Sequence, residues 1–121
     1  MLDAALAATE TDGRVALSLR IENAGAESVT LDFRTGQRAE FTAYPAAEEA
    51  HASDGREADP VWRYGAGQMF TQALGSETIA PGEAVGYEAT WRGPPSGSYR
   101  VVGEVTATNR GARAEAVVDV G

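Results

Sequence analysis

The chain has no cysteine and no lysine, and only one of its 121 residues is a histidine. The absence of cysteine excludes disulfide bonds and thiolate metal sites, so packing and hydrogen bonds alone must hold the fold. No apolar run approaches the roughly 18 residues that a membrane-spanning helix needs. The first residues carry an acid at Asp3 and no basic group, which is unlike a signal peptide. The sequence therefore predicts a cytoplasmic protein with no membrane partner.

All ten basic residues are arginine, and with 18 acidic residues they give a net charge of −8. The arginines form no basic run, which argues against a nucleic-acid partner because a phosphate backbone requires a basic face. A strongly acidic, lysine-free composition is typical of a salt-adapted (halophilic) cytoplasmic protein, whose self-repulsion is screened by ions. A GC-rich genome also favours arginine, alanine and glycine codons, so both explanations stay open.

Apolar residues recur with a period of two along most of the chain. Val15, Leu17, Leu19 and Ile21 alternate with polar or small residues, which is typical of a half-buried strand. Turn residues separate further short or alternating segments, at 29–34, 39–44, 61–64, 78–79, 85–91, 99–108 and 112–120. With no amphipathic helix, residues 1–121 are predicted to form one all-β domain, an immunoglobulin-like antiparallel β-sandwich of seven to nine strands.

Three aromatic residues have predicted places in this sandwich. Trp91 alternates in phase with Val85 and Tyr87, so it is expected in the core. Tyr99 opens a late strand, where a buried ring with its hydroxyl bonded to the backbone would form a tyrosine corner. Trp62 is assigned equally to the core and to an interface, because aromatic rings serve in both.

Nothing in the sequence predicts an enzyme or a cofactor. The single histidine, His51, lies among small and acidic residues, and no serine has a nucleophile-elbow motif, so a small hydrolase is the least favoured interpretation. Residues 46–60 carry no large apolar side chain and are expected to form an exposed loop with a hairpin tip at 53–55. Its acids offer oxygen ligands for Ca²⁺, but their spacing matches no calcium loop, so a solvated acidic loop is favoured and no metal site is predicted. The potential ligands are Glu48, Glu49, His51, Asp54, Glu57 and Asp59.

A series of short motifs resembles the BsuPI family of intracellular proteinase inhibitors. The resemblance covers roughly residues 15–107 and lies in Ile21-Glu22-Asn23, Phe33, Thr35-Gly36-Gln37, the segment 41–44, Trp62, Met69-Phe70-Thr71-Gln72, Pro81-Gly82-Glu83, Tyr87, Trp91, Gly97 and Tyr99. It implies an immunoglobulin-like sandwich and, as for the founding member, inhibition of an intracellular subtilisin-type serine protease. The sequence departs from the family in lacking a lysine-rich surface and in its longer, more acidic loop at 46–60.

An inhibitor of such a protease needs an extended, rigid loop with a bulky apolar residue. Residues 65–74 meet this description, and the predicted protein-binding residues are Gln68, Met69, Phe70, Thr71 and Trp62. The bulk of Met69 and Phe70 also fits the core, and that interpretation is favoured for both. The exposed loop 46–60 also qualifies, but it offers no large anchor residue and would suit only an electropositive partner. The rigid turn at 93–95 is a third, weaker candidate. The alternative function is a binding or assembly module that inhibits no protease.

Overall fold

The computed structural model describes residues 2–46, 60–66 and 68–121. In these ranges the chain forms nine strands and no α-helix. The strands are β1 (Leu2–Thr11), β2 (Arg14–Asn23), β3 (Val29–Phe33), β4 (Ala39–Pro45), β5 (Trp62–Arg63), β6 (Gly75–Ile79), β7 (Ala84–Arg92), β8 (Gly97–Val105) and β9 (Arg113–Val120). The predicted hairpin tip at 53–55 and the acidic ligands between 48 and 59 lie outside the described residues.

The strands pair antiparallel in three sheets with the orders β1-β2-β7, β3-β6 and β5-β4-β8-β9. Their inner faces bury one shared cluster of apolar side chains, and β1 also contacts β9, so two of the sheets approach each other on that side. This sandwich-like arrangement confirms the predicted antiparallel all-β fold. In β2 and β3 the alternating residues are buried as predicted, at Val15, Leu17, Leu19, Ile21, Val29, Leu31 and Phe33.

The first strand, β1, was not predicted by the sequence. It pairs with β2 along its whole length, from Leu2 opposite Asn23 to Thr11 opposite Arg14. Its side chains alternate between half-buried and exposed, but alanines occupy both faces. The apolar contrast between the two faces is therefore weak, and tertiary pairing with β2 decides the conformation.

Trp91 and Tyr99 take the predicted core positions. Trp91 is 4% exposed, and its ring meets the Tyr99 ring edge-on with the centroids 4.9 Å apart. The Tyr99 hydroxyl donates a hydrogen bond to the Pro95 carbonyl at 2.7 Å, which is the tyrosine-corner contact. Because this bond ties down the turn at 93–95, where Pro94 is buried, that turn has a structural role.

Asn23, at the end of β2, is fully buried, and both the nitrogen and the oxygen of its side-chain amide form hydrogen bonds. Its Nδ2 donates to the carbonyls of Ile79, at 2.8 Å, and Glu27, at 2.7 Å, while its Oδ1 accepts from the N–H of Gly25 at 2.9 Å. One side chain therefore joins β2, the turn that follows it and the end of β6.

Tyr87 links β7 to β6 through a hydrogen bond of 2.5 Å from its hydroxyl to Glu77. Burial, followed by this bond, raises the pKa of Tyr87 far above its ordinary value of 10.0. Because the folded-state pKa is raised, the contribution of the neutral phenol to stability is complete below about pH 10 and is lost as the pH rises above that value.

We expect Tyr87→Phe to cost about 1 kcal/mol at pH 7, through loss of a partly buried hydrogen bond. The gap in unfolding free energy between wild type and variant should narrow above about pH 10, since phenylalanine has no proton to lose. Urea unfolding at pH 7 to 11 measures both quantities. A gap that stays constant over this range would contradict the assignment.

Candidate protein-interaction surface

The β5–β6 loop, defined as residues 64–74 with residue 67 outside the described part, joins the edge of one sheet to β6. It begins with a turn in which Ala66 donates to the Arg63 carbonyl at 3.2 Å and Gln68 donates to the Gly65 carbonyl at 3.3 Å. The N–H of Gly65 also donates to the Glu40 carboxylate at 2.7 Å. The start of the loop is thus fixed to β4.

Thr71 fixes the second half of the loop. Its carbonyl accepts a hydrogen bond of 2.9 Å from the N–H of Gly36, in the turn between β3 and β4. The two backbones approach so closely that a Cβ on residue 36 would lie 2.7 Å from the Thr71 hydroxyl oxygen. The lack of a side chain at Gly36 therefore allows the β5–β6 loop to lie against the turn between β3 and β4. Thr71 itself is exposed.

Phe70 is half-buried, and its ring lies 6.3 Å from the ring of Tyr64 at an angle of 59°. Tyr64 in turn meets the core residue Phe41 edge-on at 5.9 Å. Phe70 is therefore the apolar anchor of the loop, in partial agreement with the core position favoured from the sequence.

Met69, directly before these two anchors in the chain, is 97% exposed, so the prediction that it belongs to the core was wrong. The Phe70 ring packs on Tyr64, and Thr71 lies against Gly36, so the backbone direction turns the Met69 side chain to solvent. Gln68 is exposed as well. The structure thus presents a large flexible apolar side chain on a loop that is held after it at Phe70 and Thr71, and before it by the hydrogen bond from Gln68 to the Gly65 carbonyl.

The segment from 61 to 74 concentrates exposed apolar residues. Of the four large hydrophobic residues exposed in the described ranges, three lie here: Val61 at 48%, Met69 at 97% and Leu74 at 82%; the fourth is Val117 on β9, at 65%. Val61 and Leu74 were not among the predicted binding residues. Both are large apolar residues in stretches without strand alternation, and that is the signal that would have identified them.

Trp62 is half-buried, which agrees in part with a core role, and its assignment to an interface stays a prediction. Its ring stacks on the core residue Trp91, with centroids 5.4 Å apart and planes at 16°. It also meets the Tyr64 ring edge-on at 6.4 Å, and it lines a groove of about 540 Å³ together with Tyr64, Gln68, Thr90 and Arg92. Trp62 therefore connects the core to the surface beside the β5–β6 loop.

Of the five predicted binding residues, Trp62 and Gln68 line the same groove, and Met69 is 97% exposed. Among the described residues, no group of three or more His, Asp or Glu side chains could hold a metal ion. His51 lies outside the described residues, and no helix in the described part is long and apolar enough to span a membrane.

Comparison with protein families gives a match over most of the chain. The sequence model of the family described as "Intracellular proteinase inhibitor" (BsuPI) matches residues 2–110, which is most of the chain and more than the motifs quoted above cover. A search of curated proteins found no match. Proteinase inhibitors are generally not enzymes, and a protease is the partner that the family name implies.

Proposed function

Because the chain belongs to the BsuPI family of intracellular proteinase inhibitors, we propose that it inhibits a subtilisin-type serine protease inside the cell. We place the contact on the β5–β6 loop. The observation that carries this proposal is the presentation of Met69, which is 97% exposed directly before the anchored residues Phe70 and Thr71. The protein itself is proposed to catalyse no reaction.

The geometry suits a substrate-binding cleft for two reasons. Association is favoured when a protease pocket that accepts a bulky apolar side chain removes Met69 from water. The hydrogen bond from Gly36 to Thr71 and the contact of Phe70 with Tyr64 order the loop before binding, so less conformational entropy is lost on association. Gln68, the neighbour of Met69 in the chain, and Trp62, which lines the same groove as Gln68, are proposed to extend the contact toward the roughly 800 Å² per partner of a typical interface.

Titration of the protein into a subtilisin-type intracellular protease, with peptide hydrolysis as the readout, tests this function. We expect activity to fall linearly to an end point at one inhibitor per enzyme. The titration should be run at low and at molar salt, because the acidic, lysine-free composition also supports a salt-adapted protein. Unchanged hydrolysis at both salt concentrations would contradict inhibition and favour a binding module that acts on no protease.

Gly36→Ala tests whether anchoring of the loop matters for inhibition. The new methyl group would lie 2.7 Å from the Thr71 hydroxyl oxygen, so we expect the loop to shift and the inhibition constant to rise by about tenfold. Thr71→Ala removes the obstructing oxygen, and the double variant Gly36→Ala/Thr71→Ala should recover most of this loss. If the double variant inhibits no better than Gly36→Ala alone, the close approach has no role in binding.

A further inference from the structure

Strand β7 lies at one edge of its sheet, where it pairs with β2 alone. Just beyond its two ends, the N–H of Asn23 donates to the Glu83 carbonyl at 2.9 Å, and the N–H of Gly93 donates to the Gly13 carbonyl at 3.1 Å. The direction of hydrogen bonding alternates along an antiparallel strand. Odd-numbered residues of β7 therefore bond to β2, and the even-numbered ones direct their N–H and C=O groups away from it.

The outward-directed groups belong to Ala84, Gly86, Glu88, Thr90 and Arg92. None of them forms a further backbone hydrogen bond within the described part of the chain. A row of such groups is a template for another strand.

Two cavities lie along this edge, which pairs with no second strand in the described part of the chain. The groove of about 540 Å³ runs along Ala89, Thr90 and Arg92, and a second cavity of about 300 Å³ lies along Gly86, Tyr87 and Glu88. Tyr64 lines both. The opposite wall of the pair carries aromatic rings, Trp62 in the first cavity and Phe70 in the second, and also the polar side chains of Gln68 and Arg38 respectively.

We propose that the free edge of β7 binds an extended segment of a partner protein as an additional antiparallel strand. In that register, partner side chains opposite Tyr87, Ala89 and Trp91 point to the inner side, toward the aromatic wall. Apolar side chains fit there. The side chains opposite the even-numbered residues of β7 lie on the outer face, in water.

The charges on the outer face specify the rest of the partner. Arg92 lies directly opposite Arg14 of β2, and neither forms an ion pair with any described residue. Two like charges in direct register are unfavourable unless an anion lies between or beside them. An acidic residue opposite Arg92 and a basic residue opposite Glu88 complement this edge. A second copy of the chain is disfavoured as the occupant, because it would bring another net charge of −8.

Read from its N-terminus, the complementary segment is Glu-Val-Thr-Val-Lys-Val-Thr, with its glutamate opposite Arg92 and its lysine opposite Glu88. The probe is this peptide, acetylated and amidated. Its binding is measured by calorimetry and by the fluorescence of Trp62 and Trp91, the two tryptophans of the chain. We expect saturable binding that weakens with salt. Exchanging the positions of its glutamate and lysine should reduce the affinity by several-fold.

The backbone pairing has its own matched controls. N-methylation at the first threonine, which lies opposite Thr90, and at the lysine removes two amides that face β7 and should weaken binding by about tenfold or more. N-methylation at the two valines flanking that threonine, whose amides face away, should have little effect. On the protein, Thr90→Pro removes an N–H that β2 does not use and should weaken binding, whereas Thr90→Ala should not.

Equal affinities for the two methylated peptides, or no binding of the parent peptide at millimolar concentration, would overturn the proposal. A concentration-dependent dimer that the peptide cannot dissociate would overturn it too, since a second copy would then occupy the edge. The inference does not depend on protease inhibition. Met69→Asp tests this independence, because it should weaken inhibition and leave binding of the peptide unchanged. Failure of either proposal is thus distinguishable from failure of the other.

Discussion

Met69→Asp is expected to raise the inhibition constant against a subtilisin-type protease by about 100-fold or more. A carboxylate placed in an apolar protease pocket must give up its water without gaining a partner, and a truncated or mismatched central anchor commonly costs 2 kcal/mol or more. Because the Met69 side chain is 97% exposed in the free protein, the substitution should leave the unfolding temperature unchanged. Progress curves of peptide hydrolysis at increasing inhibitor concentration measure the first quantity, and thermal unfolding measures the second.

Val117→Asp is the matched control, because it introduces the same charge at an apolar residue of β9 that is 65% exposed. It adds to the net negative charge equally, so any general electrostatic effect on association appears in both variants. We expect it to inhibit within about threefold of wild type, as a residue outside the interface core should. Met69→Leu, which keeps an apolar side chain of similar volume, should also retain inhibition. Equal inhibition by Met69→Asp and Val117→Asp would remove the β5–β6 loop from the contact surface.

The sequence predicted the sandwich well wherever the two faces of a strand differ strongly. In β2, large aliphatic residues alternate with polar or small ones, and the structure buries the whole aliphatic set. The prediction failed at β1, where Ala5 and Ala7 on the exposed face resemble Ala4 and Ala8 on the half-buried face. Alternation is informative only when it separates large apolar from polar side chains.

The candidate site was predictable as a segment but not in its orientation. Bulk and position identified residues 65–74, yet they do not determine which of two neighbouring side chains enters the core. The structure settles this through contacts between residues distant in sequence: Gly36 with Thr71, and Phe70 with Tyr64. Such contacts leave no periodic signal in the sequence, so Met69 could not be distinguished from Phe70.

Asn109 gives a second example of a role that pattern alone does not disclose. The sequence predicts a hairpin turn at 109–111. In the structure the Asn109 side chain also reaches β3, where Oδ1 accepts from the N–H of Asp32 and Nδ2 donates to the Thr30 carbonyl, both at 2.9 Å. Turn residues with amide side chains thus connect distant strands, and the same holds for Asn23 in a buried setting.

Asn23→Ala is expected to destabilise the protein by about 3 to 4 kcal/mol. The substitution removes three hydrogen bonds, to Ile79, Glu27 and Gly25, and it leaves main-chain groups without partners beside a fully buried site. Each net bond contributes about 1 kcal/mol, and a buried unpaired group adds its desolvation cost. For a domain of this size, the loss corresponds to a fall of about 10–15 °C in unfolding temperature. Urea and thermal unfolding measure both quantities.

Asn109→Ala is the matched control, since it also removes two side-chain hydrogen bonds to the backbone of β3, but at an exposed position where water replaces them. Its cost should stay near 1 kcal/mol or below. Asn23→Asp, which keeps the shape, should be as harmful as Asn23→Ala at pH 7, because a carboxylate oxygen would then face the Ile79 and Glu27 carbonyls. If Asn23→Ala cost no more than Asn109→Ala, burial would not be what makes the Asn23 amide important, and the backbone bonds of Asn23 to Gly82 and Glu83 would suffice to hold the end of β2.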